Sequence, residues 1–191
     1  NGDTYTGTHL NGKRHGQGKY NFANGDSYEG EFQDDIRHGN GVYTYSDGTK
    51  FEGYWEHGNR TGNGKLIFQN SEIYQGEFKN EVFEGKGKYF WPNGGHYEGS
   101  FKDGKINGHG VRVFSDGIRY EGEWKDGKRE GKGMISFPHG GSFEGQFHND
   151  IRNGEGEEKF ANGEHVKGNY ENDVLHGKGH YTWQNKTFYD G

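Results

Sequence analysis

Residues Tyr120 to Gly133 read YEGEWKDGKREGKG, and the rest of the chain is a set of variations on them. An aromatic residue recurs every 23 positions, at Tyr5, Tyr28, Phe51, Tyr74, Tyr97, Tyr120 and Phe143. Val166 and Tyr189 continue the series. A glycine follows each of them two residues later, from Gly7 through Gly122 to Gly191. No insertion or deletion interrupts the count. A fixed period of this length marks a repeat architecture, in which one supersecondary unit is copied and stacked.

With the aromatic as position 1, eight full copies span 5–27, 28–50, 51–73, 74–96, 97–119, 120–142, 143–165 and 166–188. Partial copies at 1–4 and 189–191 suggest a single array, 1–191, cut from a longer protein. Each copy holds two stretches with the period-two alternation of strands, at positions 1–6 and 12–18. Asp126-Gly127 lies between them, and Asn24-Gly25, Asp47-Gly48 or Asn162-Gly163 lies between copies. Asn-Gly and Asp-Gly accept positive φ at low cost and suit tight hairpins. The expected fold is all-β: an elongated single-layer antiparallel β-meander, about two strands per repeat, twisted into a trough or rod.

Composition agrees with this architecture. Only 26% of the 191 residues are hydrophobic and 16% are aromatic, while 38 are glycine. A globule with one thick core needs about twice that apolar share. Polar, glycine-rich chains are often disordered, but the strict period and the placement of the rings argue for order. Position 5 carries Phe32, Trp55, Phe78, Phe101, Trp124, Phe147 and Tyr170, and position 18 is aromatic in every copy. Positions 12 and 14 are always glycine. Rings in a single layer need vacant volume beside them, and glycines on neighbouring strands supply it. The opposite face carries acids at positions 2 and 4, such as Glu29 and Glu121, across from lysines such as Lys19 and Lys132. These are expected to form solvated cross-strand pairs.

This pattern, Tyr-x-Gly-x-aromatic, a turn, Gly-x-Gly and a second aromatic, resembles the MORN (membrane occupation and recognition nexus) repeat family along the whole chain. The resemblance implies a non-catalytic protein–protein interaction scaffold. It further implies cytoplasmic, cytoskeleton- or cilium-associated work and a homodimer formed through terminal repeats. The partner-binding surface is expected to be an aromatic trough built on Phe32, Trp55, Phe78, Phe101, Trp124, Phe147 and Tyr170. Alternatives are a phosphoinositide- or membrane-binding module and the regulatory arm of a larger enzyme.

For the membrane alternative, Lys13, Arg14, Arg37, Arg60, Lys105, Lys128, Arg129 and Arg152 fall at positions 9 and 10, read here as a loop. They would line one edge as an anionic-ligand site, though the formal charge of −6 dilutes it. That charge also argues against nucleic acid. Position 8 departs from glycine at Asp35, Glu81, Asp150 and Asp173, each followed by an aliphatic: Ile36, Val82, Ile151 or Val174. The expectation is a different turn geometry that tucks the aliphatic into a neighbour; the alternative is a row of exposed apolar knobs.

No catalytic, cofactor or metal site is expected. Eleven histidines are present, three of them (His15, His38, His176) at one repeat position, without ligand spacing. Gly-x-Gly lacks the following helix that a phosphate cradle requires. There is no cysteine. No apolar run approaches the ~20 residues of a membrane helix.

Overall fold

A computed structural model describes residues 2–191. Among them there are seventeen strands and no helix. Strands β1 (Thr4–Leu10), β2 (Lys13–Asn21), β3 (Ser27–Gln33), β4 (Ile36–Thr44), β5 (Lys50–Glu56), β6 (Asn59–Ile67), β7 (Ile73–Lys79) and β8 (Val82–Phe90) come first. They are followed by β9 (His96–Lys102), β10 (Lys105–Val113), β11 (Arg119–Lys125), β12 (Lys128–Ser136) and β13 (Ser142–His148). The last are β14 (Ile151–Lys159), β15 (His165–Glu171), β16 (Val174–Thr182) and β17 (Phe188–Asp190). The chain forms two compact units, 1–92 with 101–104, and 93–100 with 105–191. In the first, β1 to β8 pair antiparallel in chain order, from β1 with β2 to β7 with β8. In the second, β10 to β17 do the same. The expected meander of about two strands per repeat is therefore present.

The second strand of each copy is longer than alternation alone suggested. It covers positions 9–17, as in Ile36–Thr44. The reason is the turn. Positions 7 and 8 both take left-handed backbone in every copy, for example Asp126 at φ 50° and Gly127 at 84°. That is the two-residue hairpin turn whose twist matches the flanking strands, so pairing begins at once on either side. Asp35, Glu81, Asp150 and Asp173 adopt the same conformation, with φ between 67° and 76°. The expected change of turn geometry at these copies does not occur. Ile36, Val82, Ile151 and Val174 are not tucked in either; they are 38–66% exposed.

Glycines serve two separate purposes. Positions 3 and 14 face each other across the strand pair, as Gly30 and Gly41 do. The Tyr28 ring lies over both, and its hydroxyl donates to the Glu31 carbonyl at 3.0 Å. A methyl on Gly30 would stand 2.5 Å from the Gly41 Cα and 2.7 Å from that hydroxyl oxygen. Position 12 is glycine for another reason. It has positive φ in all eight copies, Gly39 at 59° among them, at the point where the register shifts. This is a built-in bulge, and it needs a residue that tolerates left-handed backbone.

The core is one face of the sheet. Position-1 rings meet position-5 rings edge to face, within a copy and with the next. Tyr28 lies 5.1 Å from Phe32 and 5.4 Å from Trp55; Tyr120 lies 4.9 Å from Trp124 and 5.2 Å from Phe147. Such pairs contribute ~0.5–1.5 kcal/mol each beyond burial. Position 16 completes the core with Tyr43, Leu66 and Ile135. The expected cross-strand ion pairs lie on the opposite face. Lys19 reaches Glu29 at 3.3 Å, and Glu52 stands opposite Lys65.

Candidate functional site: the ring and guanidinium face

The seven position-5 rings expected to receive a partner are all buried. Phe32, Trp55, Phe78, Phe101, Trp124, Phe147 and Tyr170 are only 1–5% exposed. Their surface is spent on neighbouring rings, and the Trp55 and Trp124 indoles donate to the carbonyls of Gly41 and Gly110. They form the core and offer no open surface.

The aromatic surface that is open belongs to position 18. This residue follows the end of the second strand, and its N–H and C=O close the turn between copies, as in Phe22 N–H to Asp26 O and Gly25 N–H to Phe22 O. The backbone fixes it in the turn and its ring stays partly exposed: Phe137, Phe160 and Trp183 are 37–42% accessible. In the first unit these rings alternate with those of position 16 from Tyr20 to Tyr45. Tyr20 to Phe22 is 4.6 Å, Phe22 to Tyr43 5.7 Å, and Tyr43 to Tyr45 4.5 Å. Tyr43 is held by Asp26, which accepts its hydroxyl at 2.7 Å and the Ser46 N–H at 2.8 Å. The Tyr43 hydroxyl, then the Ser46 amide, hold the Asp26 carboxyl below its usual range. Burial, then Asp26, pushes the Tyr43 phenol up.

The basic residues of positions 9 and 10 lie in strands, not loops. Position 10 shares the ring face, and its long stem lies over the core. Arg14 stands 4.6 Å over Tyr20, Arg37 4.3 Å over Trp55, Arg60 5.3 Å over Phe51, and Arg152 5.0 Å over Phe143. Four of these arginines are also tied to the position-8 acid of the next copy. The Arg14 Nε and backbone N both reach Asp35 Oδ1 at 3.0 Å, its Nη2 reaches the Asp35 carbonyl, and the Asp35 N–H returns to the Arg14 carbonyl. Arg60 with Glu81, Arg129 with Asp150 and Arg152 with Asp173 repeat the arrangement. The Arg14 backbone N–H, then its side chain, depresses the Asp35 pKa. The cationic edge expected from the sequence, diluted by the position-8 acids, is here paired with them directly: Arg14, Arg60, Arg129 and Arg152 already hold carboxylates. Lys105 approaches Asp126 at 3.9 Å, while Lys13 and Lys128 are exposed at the starts of β2 and β12.

Sequence reasoning saw both rows, position 8 and position 10, but not that they meet. The signal was present in the spacing. An acid at position 8 follows, 21 residues on, only those copies with Arg at position 10.

A concave pocket of about 410 Å³ opens on this face in the first unit, walled by Arg14, Tyr20, Phe22, Ile36, Arg37 and Tyr43. Among the described residues, no cluster of three or more His, Asp or Glu is placed to hold a metal ion. His15 lies 4.0 Å from Asp34, and His176 lies 3.7 Å from Glu171. Among the described residues, no helix is long and apolar enough to cross a membrane.

No curated protein sequence matches the chain. Among solved structures, it is similar to the TCP domain of SAS-4 (dCPAP) of Drosophila melanogaster in complex with a proline-rich motif of Ana2 (dSTIL). That likeness has 16% identity over 80% of this chain and 83% of that one, at a TM-score of 0.51. The TCP10c domain of Drosophila melanogaster Sas-4 is similar at 15% identity over 92% and 91%, with a TM-score of 0.44. The first of these likenesses shows a shared fold alone. The profile of the MORN repeat matches residues 5–27, 28–50, 51–72, 74–96, 97–119, 120–142, 143–165 and 167–188. With eight consecutive repeats covering nearly all of its length, the chain belongs to the MORN repeat family.

Proposed function

We propose that this protein is a non-catalytic scaffold that holds extended segments of other proteins on the partly exposed rings of position 18. One observation carries the reading: the rings of Phe22 and Tyr45 stand partly exposed beside arginines whose stems lie over the core. Aromatic surface flanked by guanidinium is the composition of interaction hot spots. A fold-level neighbour in complex with a proline-rich motif supports the same class of partner, since such segments dock on aromatic grooves. Membership of the family supports a cytoskeletal setting and self-association, and both are part of this proposal.

The test is a quantitative pull-down from cell extract with the intact chain, compared with a triple Phe22→Ser, Tyr45→Ser, Phe68→Ser variant. Partners are expected to be lost while the fold is kept, because these rings are only partly buried and lie outside the core of positions 1 and 5. Retention of all partners by the triple variant removes the proposal. Anionic vesicles form a parallel arm, in which binding that survives the triple change would favour the membrane reading. Sedimentation velocity at tens of micromolar checks self-association, and a monomer there discards it.

A further inference from the structure

Arg37 breaks the rule that the other position-10 arginines obey. Arg14, Arg60, Arg129 and Arg152 each hold a carboxylate from the next copy. At the matching place Arg37 finds Gly58, to whose carbonyl it donates one Nη2 bond at 2.9 Å. It makes no ion pair among the described residues. An arginine has five N–H donors in a planar fork, so most of this one is unspent. It is also half-buried, 4.3 Å over Trp55 and 5.1 Å over Tyr43. The backbone is not the obstacle to an acid here. Gly58 has φ 81°, close to the 72° at which Asp35 stands, and a Cβ on it would meet only the Ile36 Cγ2 at 3.5 Å.

Arg37 lines the pocket of about 410 Å³, together with Tyr20, Phe22, Ile36 and Tyr43. We infer that this pocket is an acceptor site for an aspartate or glutamate of an extended partner segment, whose carboxylate takes the place on Arg37 that an internal acid takes on the other arginines. The inference rests on the peptide-binding reading above and names the chemistry of one subsite within it. The fork geometry of guanidinium suits a carboxylate, and desolvation over the rings strengthens the pair. An apolar neighbour of the acid seats on Phe22 and Ile36, the latter 47% exposed. A single negative charge is favoured over a phosphate because the Asp35 carboxylate lines the same pocket and repels a dianion.

The experiment is a titration of the ¹⁵N-labelled intact chain followed by NMR at the Ile36 and Gly58 amides and the Arg37 Nε–H. The probes are a blocked nonapeptide with one glutamate between prolines and a phenylalanine, its glutamine twin, and inorganic phosphate. The glutamate probe is expected to bind about ten-fold more tightly than its twin. Arg37→Gln should reduce that ratio to about two-fold or less. Gly58→Asp should do the same by supplying the internal acid, with a melting temperature no lower than that of the wild type, which separates blockade from misfolding. Equal binding of the twins, no saturable shift at about 5 mM probe, tighter binding of phosphate, or an unchanged preference in Gly58→Asp would each overturn the inference. If the twins bind equally and the ring variants abolish binding, the peptide-binding reading stands and only the acid subsite falls.

Discussion

Two successive junctions in the first unit solve one problem in different ways. Between the third and fourth copies, Arg60 lies over Phe51 and holds Glu81 at 2.7 Å. Between the fourth and fifth, Phe83 stacks on Tyr74 at 3.8 Å with the planes 13° apart, and the position-8 residue is Gly104. The backbone bond is the same in both, from the position-8 N–H to the position-10 carbonyl, at 3.1 and 3.0 Å. Position 10 therefore exists to cover the edge of the ring core, which either a guanidinium stem or a phenyl ring can do. The acid at position 8 is subsidiary to the arginine. A non-glycine residue at φ near 70° is costly, and at position 8 it appears only where an arginine stands ready to hold it.

The largest disturbance should come from removing what the two junctions share. Tyr74→Ala takes away the ring that both Phe78 and Phe83 contact, and should cost ~3–5 kcal/mol in urea unfolding. A loss below about 1 kcal/mol would show that the ring core is not the common support.

Next in size is the junction itself. Arg60→Ala leaves Glu81 in a left-handed turn without its partner and uncovers Phe51; a loss of about 1–2 kcal/mol is expected. Only a few tenths of that belongs to the ion pair, because the Glu81 side chain is 41% exposed. The double change Arg60→Phe with Glu81→Gly copies the neighbouring junction and should return within about 0.5 kcal/mol of wild type. If the pair of changes is no better than Arg60→Ala alone, the two junctions are not equivalent solutions.

A smaller effect sharpens the rule. Gly104→Asp places an acid at φ near 77° opposite Phe83, which cannot hold it, and should cost about 1 kcal/mol. Gly58→Asp, opposite Arg37, should be neutral or stabilising in the same thermal melt. Equal losses at the two sites would refute the dependence of the acid on arginine.

The last test uses pH. Burial raises the phenols of Tyr97 and Tyr170 to about 12 against an ordinary 10.0. A group whose folded pKa is raised stabilises the fold fully below its unfolded pKa and loses that contribution as pH climbs through the folded one. Melting temperature should thus hold steady to about pH 10 and fall between about pH 10 and 12. Asp35, whose pKa is lowered chiefly by the Arg14 N–H, acts in the opposite direction, with its contribution lost as pH falls below the ordinary carboxylate range. An Asp35→Asn variant should flatten that acid limb slightly; an unchanged limb would assign it to other carboxylates.

The repeat period, the turns and the ring-over-glycine pairing were legible because each is local. Asp126-Gly127 announces its own turn, and Gly30 lies two residues from Tyr28. Alternation put position 16 on the ring face, but its depth was hidden because its residue type varies, with Tyr43, Leu66, Arg112 and Glu158 at one place in the unit; it is buried at Tyr43, Leu66 and Ile135. The choice of position 5 over position 18 as the open aromatic surface failed because alternation assigns a face and says nothing of depth. Position 5 is enclosed by rings of two copies, whereas position 18 stands where the strand has ended.

By itself, then, the order of residues determined a β-meander of eight repeats, the location of its hairpins and the family to which it belongs. Period, chirality and turn chemistry act within a few residues. Only the folded chain decided which rings are buried, that Arg14 meets Asp35 across 21 residues, and that Arg37 is left without an acid. Those outcomes depend on which copies become neighbours in space, and on whether the next copy brings a carboxylate or a bare glycine to the guanidinium.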